Sequence, residues 1–346
     1  MKKFMFGLDD AQPMASAKKL VDLGYDGVVL GGNPAQFEAA QACGLETWLS
    51  YGAHSIGSFS QAEFGAQNPF GEPAPWFGSA CPNAEEVNRF NLNRALETAK
   101  AVHAKGIFVD GARFASFASA EGPESFFGCF CPRCMSKMIW MGMDAPKIKD
   151  SIGKLMLYLR DGTVEKNSIP VLRSAIDAWL DFRAACVKEY MDQFAAQAHE
   201  AGLQAAAFVF APSLWWFVGQ RPTSCGALDL VSPMLYRAYP HEEGPACLNH
   251  EWAAFQTLLS HTDRPASDLA SMLFDMALLS DDPMKGFPPE HVGVETEAAR
   301  AMLPRRISVL PIVQTEDDRL AETCQAVLDA GADGYGEFMY SQKTFA

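Results

Sequence analysis

Three thiols fall within a short stretch of the chain, Gly128-Cys129-Phe130-Cys131-Pro132-Arg133-Cys134. C-x-C-x-x-C spacing can fold into a tight knuckle that turns all three sulfurs toward one ion. A closed structural zinc site takes four nitrogen or sulfur ligands, so a fourth must come from elsewhere. Cys81, in Ala80-Cys81-Pro82-Asn83, is the candidate, because it sits in the preceding loop of the same presumed face. The competing reading is three reduced thiols without a metal. Catalytic redox use is disfavoured, since no thioredoxin-like pattern surrounds the cluster.

A second set of residues could move protons. Asp110 closes an apolar run, and Arg113 follows within a turn, able to orient the carboxylate, depress its pKa or simply pair with it. Glu337 lies inside another such run, Gly334-Tyr335-Gly336-Glu337-Phe338, flanked by glycines that would leave room for a ligand. The alternative for Glu337 is a salt bridge within the fold, because a carboxylate in a strand is costly unless paired or exposed. Two carboxyl groups about 5–5.5 Å apart, or roughly 6.5–9.5 Å apart, are what glycoside hydrolysis requires. Asp110 and Glu337 are therefore the catalytic candidates.

Asp9, His54, Arg113, Trp215, Trp216, Tyr236 and Gln314 are candidates for binding a substrate. Each falls at the end of a predicted strand or just after it, and the two tryptophans would offer flat faces to sugar rings. Trp76 lies in a loop of the same face, whereas Trp48 and Trp179 read as core. Glu316 reads as a helix-start charge, while Glu121 and Glu124 are acid candidates in a loop.

The elements that must hold these residues alternate. Apolar runs at Lys3–Leu8, Gly27–Leu30, Glu46–Tyr51, Gly106–Asp110, Gln204–Phe210, Leu228–Tyr236, Ile307–Gln314 and Gly334–Tyr340 read as parallel strands covered on both faces. Helical patterns separate most of them, and several end at a glycine, including Gly24, Gly44, Gly106, Gly202 and Gly331. Eight strands alternating with helices predict an α/β fold, a (β/α)8 barrel, with its working site at the C-terminal strand ends. A doubly wound sheet would show a glycine-rich turn after the first strand, and Asp9-Asp10-Ala11-Gln12-Pro13 is not one. Insertions are expected after strand three (Gly52–Asn83) and strand four (Ala115–Ser174), within a single domain spanning residues 1–346.

The formal charge of −14 disfavours a nucleic-acid partner, because phosphates are held mainly by Lys and Arg. No apolar run is long enough for a membrane span, and the start of the chain lacks the apolar core of a secretory signal. Nine cysteines, with Cys43, Cys186 and Cys324 in helix-like segments, fit a reducing compartment better than a disulfide framework. A cytoplasmic location and a neutral or cationic small-molecule ligand are expected, and a homo-oligomer stays open.

The Cys-Pro-Asn element, the C-x-C-x-x-C run and Trp179-x-x-Phe182-Arg183 together resemble the arrangement in family 42 glycoside hydrolases, the β-galactosidases. Asp110-x-x-Arg113-Phe114 and Ser232-Pro233-Met234-x-Tyr236 are similar to segments of other glycosidase-like barrels. The resemblance implies a barrel, a four-cysteine zinc site and a carbohydrate ligand. It does not carry over β-galactosidase activity: those enzymes place an Asn-Glu pair where this chain has Asp110-Gly111, and no Asn-Glu pair occurs in it. The expectation is a glycoside hydrolase acting on a small glycoside or oligosaccharide. The alternatives are a carbohydrate-binding or catalytically reduced barrel, and a sugar isomerase or epimerase.

Overall fold

The computed structural model describes residues 1–119, 123–162, 169–240 and 246–341. Its strands are β1 (Lys2–Phe6), β2 (Gly27–Leu30), β3 (Glu46–Gly52), β4 (Gly106–Asp110), β5 (Gln204–Val209), β6 (Leu230–Pro233), β7 (Ser308–Val309), β8 (Ile312–Gln314) and β9 (Gly334–Phe338). Every ladder is parallel, in the order β7-β6-β5-β4-β3-β2-β1-β9-β8. The two ends of that order are consecutive pieces of one strand. β7 pairs with β6, β8 pairs with β9, and Pro311, which has no N–H to give a ladder, lies between them. Met234 bridges to Ile312 in parallel, and Leu235 N–H donates to Ile312 O at 2.8 Å. The sheet thus closes, and the chain folds as a (β/α)8 barrel.

Alternation along the strands separates two cores. Phe4, Phe6, Trp48, Phe108, Phe208, Leu310 and Ile312 fill the barrel, with Phe108 stacked on Phe208 at 4.5 Å. Their intervening neighbours, among them Met5, Val28, Ile107, Val109 and Val313, face the helices. Each fully buried phenylalanine is worth roughly 1.5–3 kcal/mol by area, so both faces stabilise the closed form. Helices Pro13–Asp22, Pro34–Ala42, Glu85–Ala101, Ile169–Glu200, Pro289–Met302 and Leu320–Asp329 supply the outer layer. Between β5 and β6 the described chain makes short 3-10 turns, Pro212–Val218 and Pro222–Cys225, instead of an α-helix. Helix Pro132–Trp140 lies inside the cysteine segment, where no helix was expected, and Cys131 is its N-cap.

Glycines 24, 44, 202 and 331 take positive φ where the helices end. Gly106 does not. Helix Glu85–Ala101 stops early, His103 takes the left-handed position, and Gly106 opens β4. A Cβ there would lie 2.5 Å from Gln204 O and from the Trp48 ring, so close packing, not capping, requires the glycine. No helix among the described residues is long and apolar enough to cross a membrane.

Candidate functional site

A cavity of about 470 Å³ opens at the C-terminal ends of the strands. Its floor is the top of the barrel core: Phe6, Phe208, Ile312 and Phe338. Polar groups stand around that apolar base, which is the composition of a site for a small molecule. Asp110, the last residue of β4, belongs to the inward-facing set with Phe108 and is exposed to the cavity. Gly111 follows with φ +67°, a conformation that turns the chain immediately after the carboxylate and that other residues adopt only with strain. Desolvation raises the Asp110 pKa, opposed by the nearby Arg113 charge and by the Gly111 N–H.

Arg113 is buried with its guanidinium 4.6 Å from the rings of both Trp76 and Phe210. Its Nη1 donates to Phe114 O at 2.9 Å. Burial pulls its pKa down to about 10, against the attraction of Glu251 and Asp110, so it stays a cation at neutral pH. His54, Tyr236 and Ser50 complete the polar wall, with Trp76 as an aromatic side. Four of the sequence candidates therefore meet in one cavity: Asp110, Arg113, His54 and Tyr236.

The others do not line it. Glu337 is the main correction. Its β1 partner is Met5, which faces the helices, and the same parity turns Glu337 outward, away from Asp110. The Tyr25 hydroxyl donates to Glu337 Oε2 at 2.7 Å, and Lys3 Nζ lies 3.3 Å from Oε1. Lys3 also sits 3.9 Å from the Tyr25 ring centroid. This is a paired carboxylate behind the barrel wall. Glu337→Gln should cost about 1–2 kcal/mol in chemical denaturation and leave ligand binding in the mouth unchanged. Lost binding at unchanged stability would return Glu337 to the site.

Trp215 is buried in the outer core, its indole N–H donating to Phe210 O, and Trp216 packs against the same core. Both stand in the 3-10 turn after β5, and neither lines the cavity. Asp9 caps its own turn, accepting from Ala11 N–H at 2.8 Å and Gln12 N–H at 3.1 Å. Gln314 is buried at the end of β8, and its Oε1 has no hydrogen-bond partner among the described residues. Glu124 is exposed in a 3-10 turn, whereas Glu121 lies outside the described residues. Asn88, which fixes His54, was not singled out by sequence. It lies on a helix, and nothing in its spacing marks it.

Behind this wall, the sulfurs of Cys81, Cys129, Cys131 and Cys134 all lie within 4.8 Å of one another, and all four residues are buried. Cys81 Sγ is 3.4 Å from Cys134 Sγ and 3.6 Å from Cys131 Sγ. Tetrahedral zinc with bonds of about 2.3 Å would place its sulfurs about 3.8 Å apart, so the four could hold such an ion. Asn83 braces the group: its Nδ2 is 3.2 Å from Cys134 Sγ and its N–H 3.4 Å from Cys81 Sγ, while Lys137 Nζ donates to its Oδ1 at 3.0 Å. Hydrogen bonds with neighbouring thiols hold Cys131 well below the ordinary thiol range and raise Cys81, while burial, aided by the same neighbours, raises Cys134. The arrangement thus favours the anion at one sulfur, Cys131, and disfavours it at Cys81 and Cys134.

No family model matches the chain, and no curated protein does. Solved structures do. The catalytic domain of a beta-amylase from Paenibacillus polymyxa has a TM-score of 0.55 at 11% identity, covering 98% of this chain and 92% of that one. The glycoside hydrolase domain of a PelA variant from Pseudomonas aeruginosa has a TM-score of 0.45 at 12% identity, covering 100% and 96%. A 3-keto-D-glucoside 4-epimerase from E. coli has a TM-score of 0.39 at 10% identity, covering 99% and 94%. The beta-amylase likeness is one of fold and agrees with the closed barrel.

Proposed function

We propose that the barrel mouth binds a small carbohydrate and that Asp110 exchanges a proton with it as the acid of a glycosidase-like reaction. The observation that carries this reading is the setting of Asp110: a carboxylate with a raised pKa, open to the cavity, beside a guanidinium held on two aromatic rings. A raised pKa suits a proton donor to a leaving oxygen. The aromatic and aliphatic floor suits the C–H faces of a sugar, and the serine, tyrosine and histidine wall suits its hydroxyls.

A second reading is supported by a specific feature. Among the described residues that line the cavity, Asp110 is the one carboxylate, whereas paired-carboxylate hydrolysis needs two. A carbohydrate-binding barrel without turnover fits that count. A metal-dependent sugar isomerase is less well supported. Among the described residues, the one group of three or more metal-ligating side chains is the cysteine cluster, which lies outside the mouth.

A panel of aryl glycosides and oligosaccharides separates the readings. If Asp110 is the acid, Asp110→Asn should lower kcat/KM by about 100-fold or more. Wild-type kcat/KM should fall as pH rises through the raised Asp110 pKa, because only the protonated form donates. The same shift has a stability signature. Between the ordinary aspartate value and the raised one, the folded state holds more protons than the unfolded, so stability falls as pH rises there. Asp110→Asn should remove that slope. Sugar binding without turnover would select the binding barrel, and no binding of any member would overturn both.

The four cysteines are proposed to hold zinc. Cys81, Cys129, Cys131 and Cys134 would be its ligands, and the ion would supply a cross-link between the loops after β3 and β4.

A further inference from the structure

The hydrogen bonds around His54 determine which of its nitrogens carries the proton. Asn88 Nδ2 donates to Pro82 O at 2.8 Å, which fixes the orientation of the side-chain amide. Asn88 Oδ1 is then the atom 2.7 Å from His54 Nδ1. An amide oxygen only accepts, so the proton between them belongs to His54 Nδ1. The ring is buried, edge-on to Tyr190 at 4.9 Å between centroids. Tyr190 is held in turn by the Tyr51 hydroxyl at 2.8 Å. Burial and the Arg113 charge outweigh the Asn88 bond and pull the His54 pKa down to about 4, so the ring is neutral at pH 7. A neutral imidazole protonated at Nδ1 keeps its lone pair at Nε2.

His54 lines the cavity, and the hydrogen bond to Asn88 uses its other nitrogen. We infer that His54 is a specificity-determining residue that presents Nε2 to the mouth as a fixed acceptor, with Asn88 as its positioning residue. The ligand must therefore bring a donor to this wall. On the carbohydrate reading, on which this assignment of the ligand rests, the donor is a sugar hydroxyl. A ligand with an ether oxygen or a hydrogen at that position would leave a buried acceptor unpaired. That omission is expected to weaken binding by about 10–100-fold. The backbone ties the same segment to the thiol cluster, since Ala80 N–H donates to His54 O at 2.7 Å, one residue before Cys81.

Ring-nitrogen NMR of protein labelled with ¹⁵N-histidine tests the tautomer on the wild-type chain. At pH 7 His54 should show a protonated Nδ1 and a bare Nε2; the reverse pattern, or a doubly protonated ring, overturns the inference. In Asn88→Ala the pattern should shift toward the Nε2–H form, and Asn88→Asp, which restores an acceptor, should bring Nδ1–H back. The ligand half uses methyl glucoside, methyl galactoside and their monodeoxy counterparts as probes. One deoxy position should cost about 10–100-fold in wild type, and that discrimination should vanish in His54→Phe but persist in part in His54→Gln. Glycosides that bind with discrimination intact in folded His54→Phe would overturn the specificity role and leave the carbohydrate reading standing. If none of the probes binds while the ring shows Nδ1–H, the carbohydrate reading fails and the acceptor assignment holds.

Discussion

Purified protein is expected to contain about one zinc per chain, and stripping it should lower the melting temperature by about 10 °C or more. The cysteine cluster joins two segments that are far apart in sequence, with Cys81 on one side and Cys129, Cys131 and Cys134 on the other. Cys81 lies in the loop before helix Glu85–Ala101, whereas Cys131 caps helix Pro132–Trp140 and Cys134 lies in its first turn, so the ion would fasten a loop to the start of a helix. Bound metal contributes its free energy directly to folding, because the unfolded chain offers no formed site. Cys131→Ser and Cys134→Ser should each reduce metal content and destabilise to a similar degree. Acid should release the ion, since each thiol must lose its proton to bind. Metal analysis with thermal denaturation, before and after a strong chelator, decides the matter. Protein that carries no metal and melts at the same temperature with chelator would sink the zinc assignment.

The thiol cluster was legible in sequence because its members are rare residues at short spacing, and chemistry restricts what such spacing is for. The barrel was legible for a related reason. Parallel strands buried on both faces read as continuous apolar runs, and β2 and β4 begin and end where those runs do. That same continuity hides which way a side chain points. In β9, Gly334-Tyr335-Gly336-Glu337-Phe338 carries no polar–apolar contrast that distinguishes the barrel interior from the helix layer. One residue of parity decides whether Glu337 meets substrate or Lys3. Lys3 was the available clue, since a lysine at alternate positions with Phe4 and Phe6 must also face outward and seek an anion there. Trp215 and Trp216 went astray because the chain after β5 makes a 3-10 turn, and no helical or strand period marks how such a turn folds back. Asp110, Arg113, His54 and Tyr236 lie at or just after strand ends and line the cavity, but Gln314 ends β8 without lining it, so strand-end position narrows the candidates and does not decide among them.

Arg183→Met is expected to destabilise the protein by about 3–5 kcal/mol, and Arg183→Lys by nearly as much. Arg183 is fully buried on helix Ile169–Glu200, with its guanidinium 4.0 Å from the Trp179 ring centroid and 4.9 Å from that of Phe126. Nη1 donates to Phe217 O at 2.5 Å, and Nη2 donates to both Phe126 O and Gly128 O. Those carbonyls belong to the cysteine segment and to the turn after β5, so one planar fork fastens both to the helix. Methionine would fill much of the volume but leave three buried carbonyls without their donor. Lysine would keep the charge, yet a single ammonium cannot reproduce the stacked, forked geometry. The positive charge itself needs a partner, and no described carboxylate forms an ion pair with it. Burial pulls the Arg183 pKa well below its usual value, and the charges that oppose this are the Cys129 and Cys134 sulfurs. Four thiolates around one zinc ion carry net negative charge, so the loaded cluster would hold Arg183 protonated, and Arg183 would in turn favour the thiolate form. Arg183→Met should therefore lose metal as well as stability, whereas a change on the exposed face of the same helix should affect neither. Urea denaturation with metal analysis on the same samples tests this coupling. Full zinc content and an unchanged midpoint in Arg183→Met would show that the charge and the fork are both dispensable.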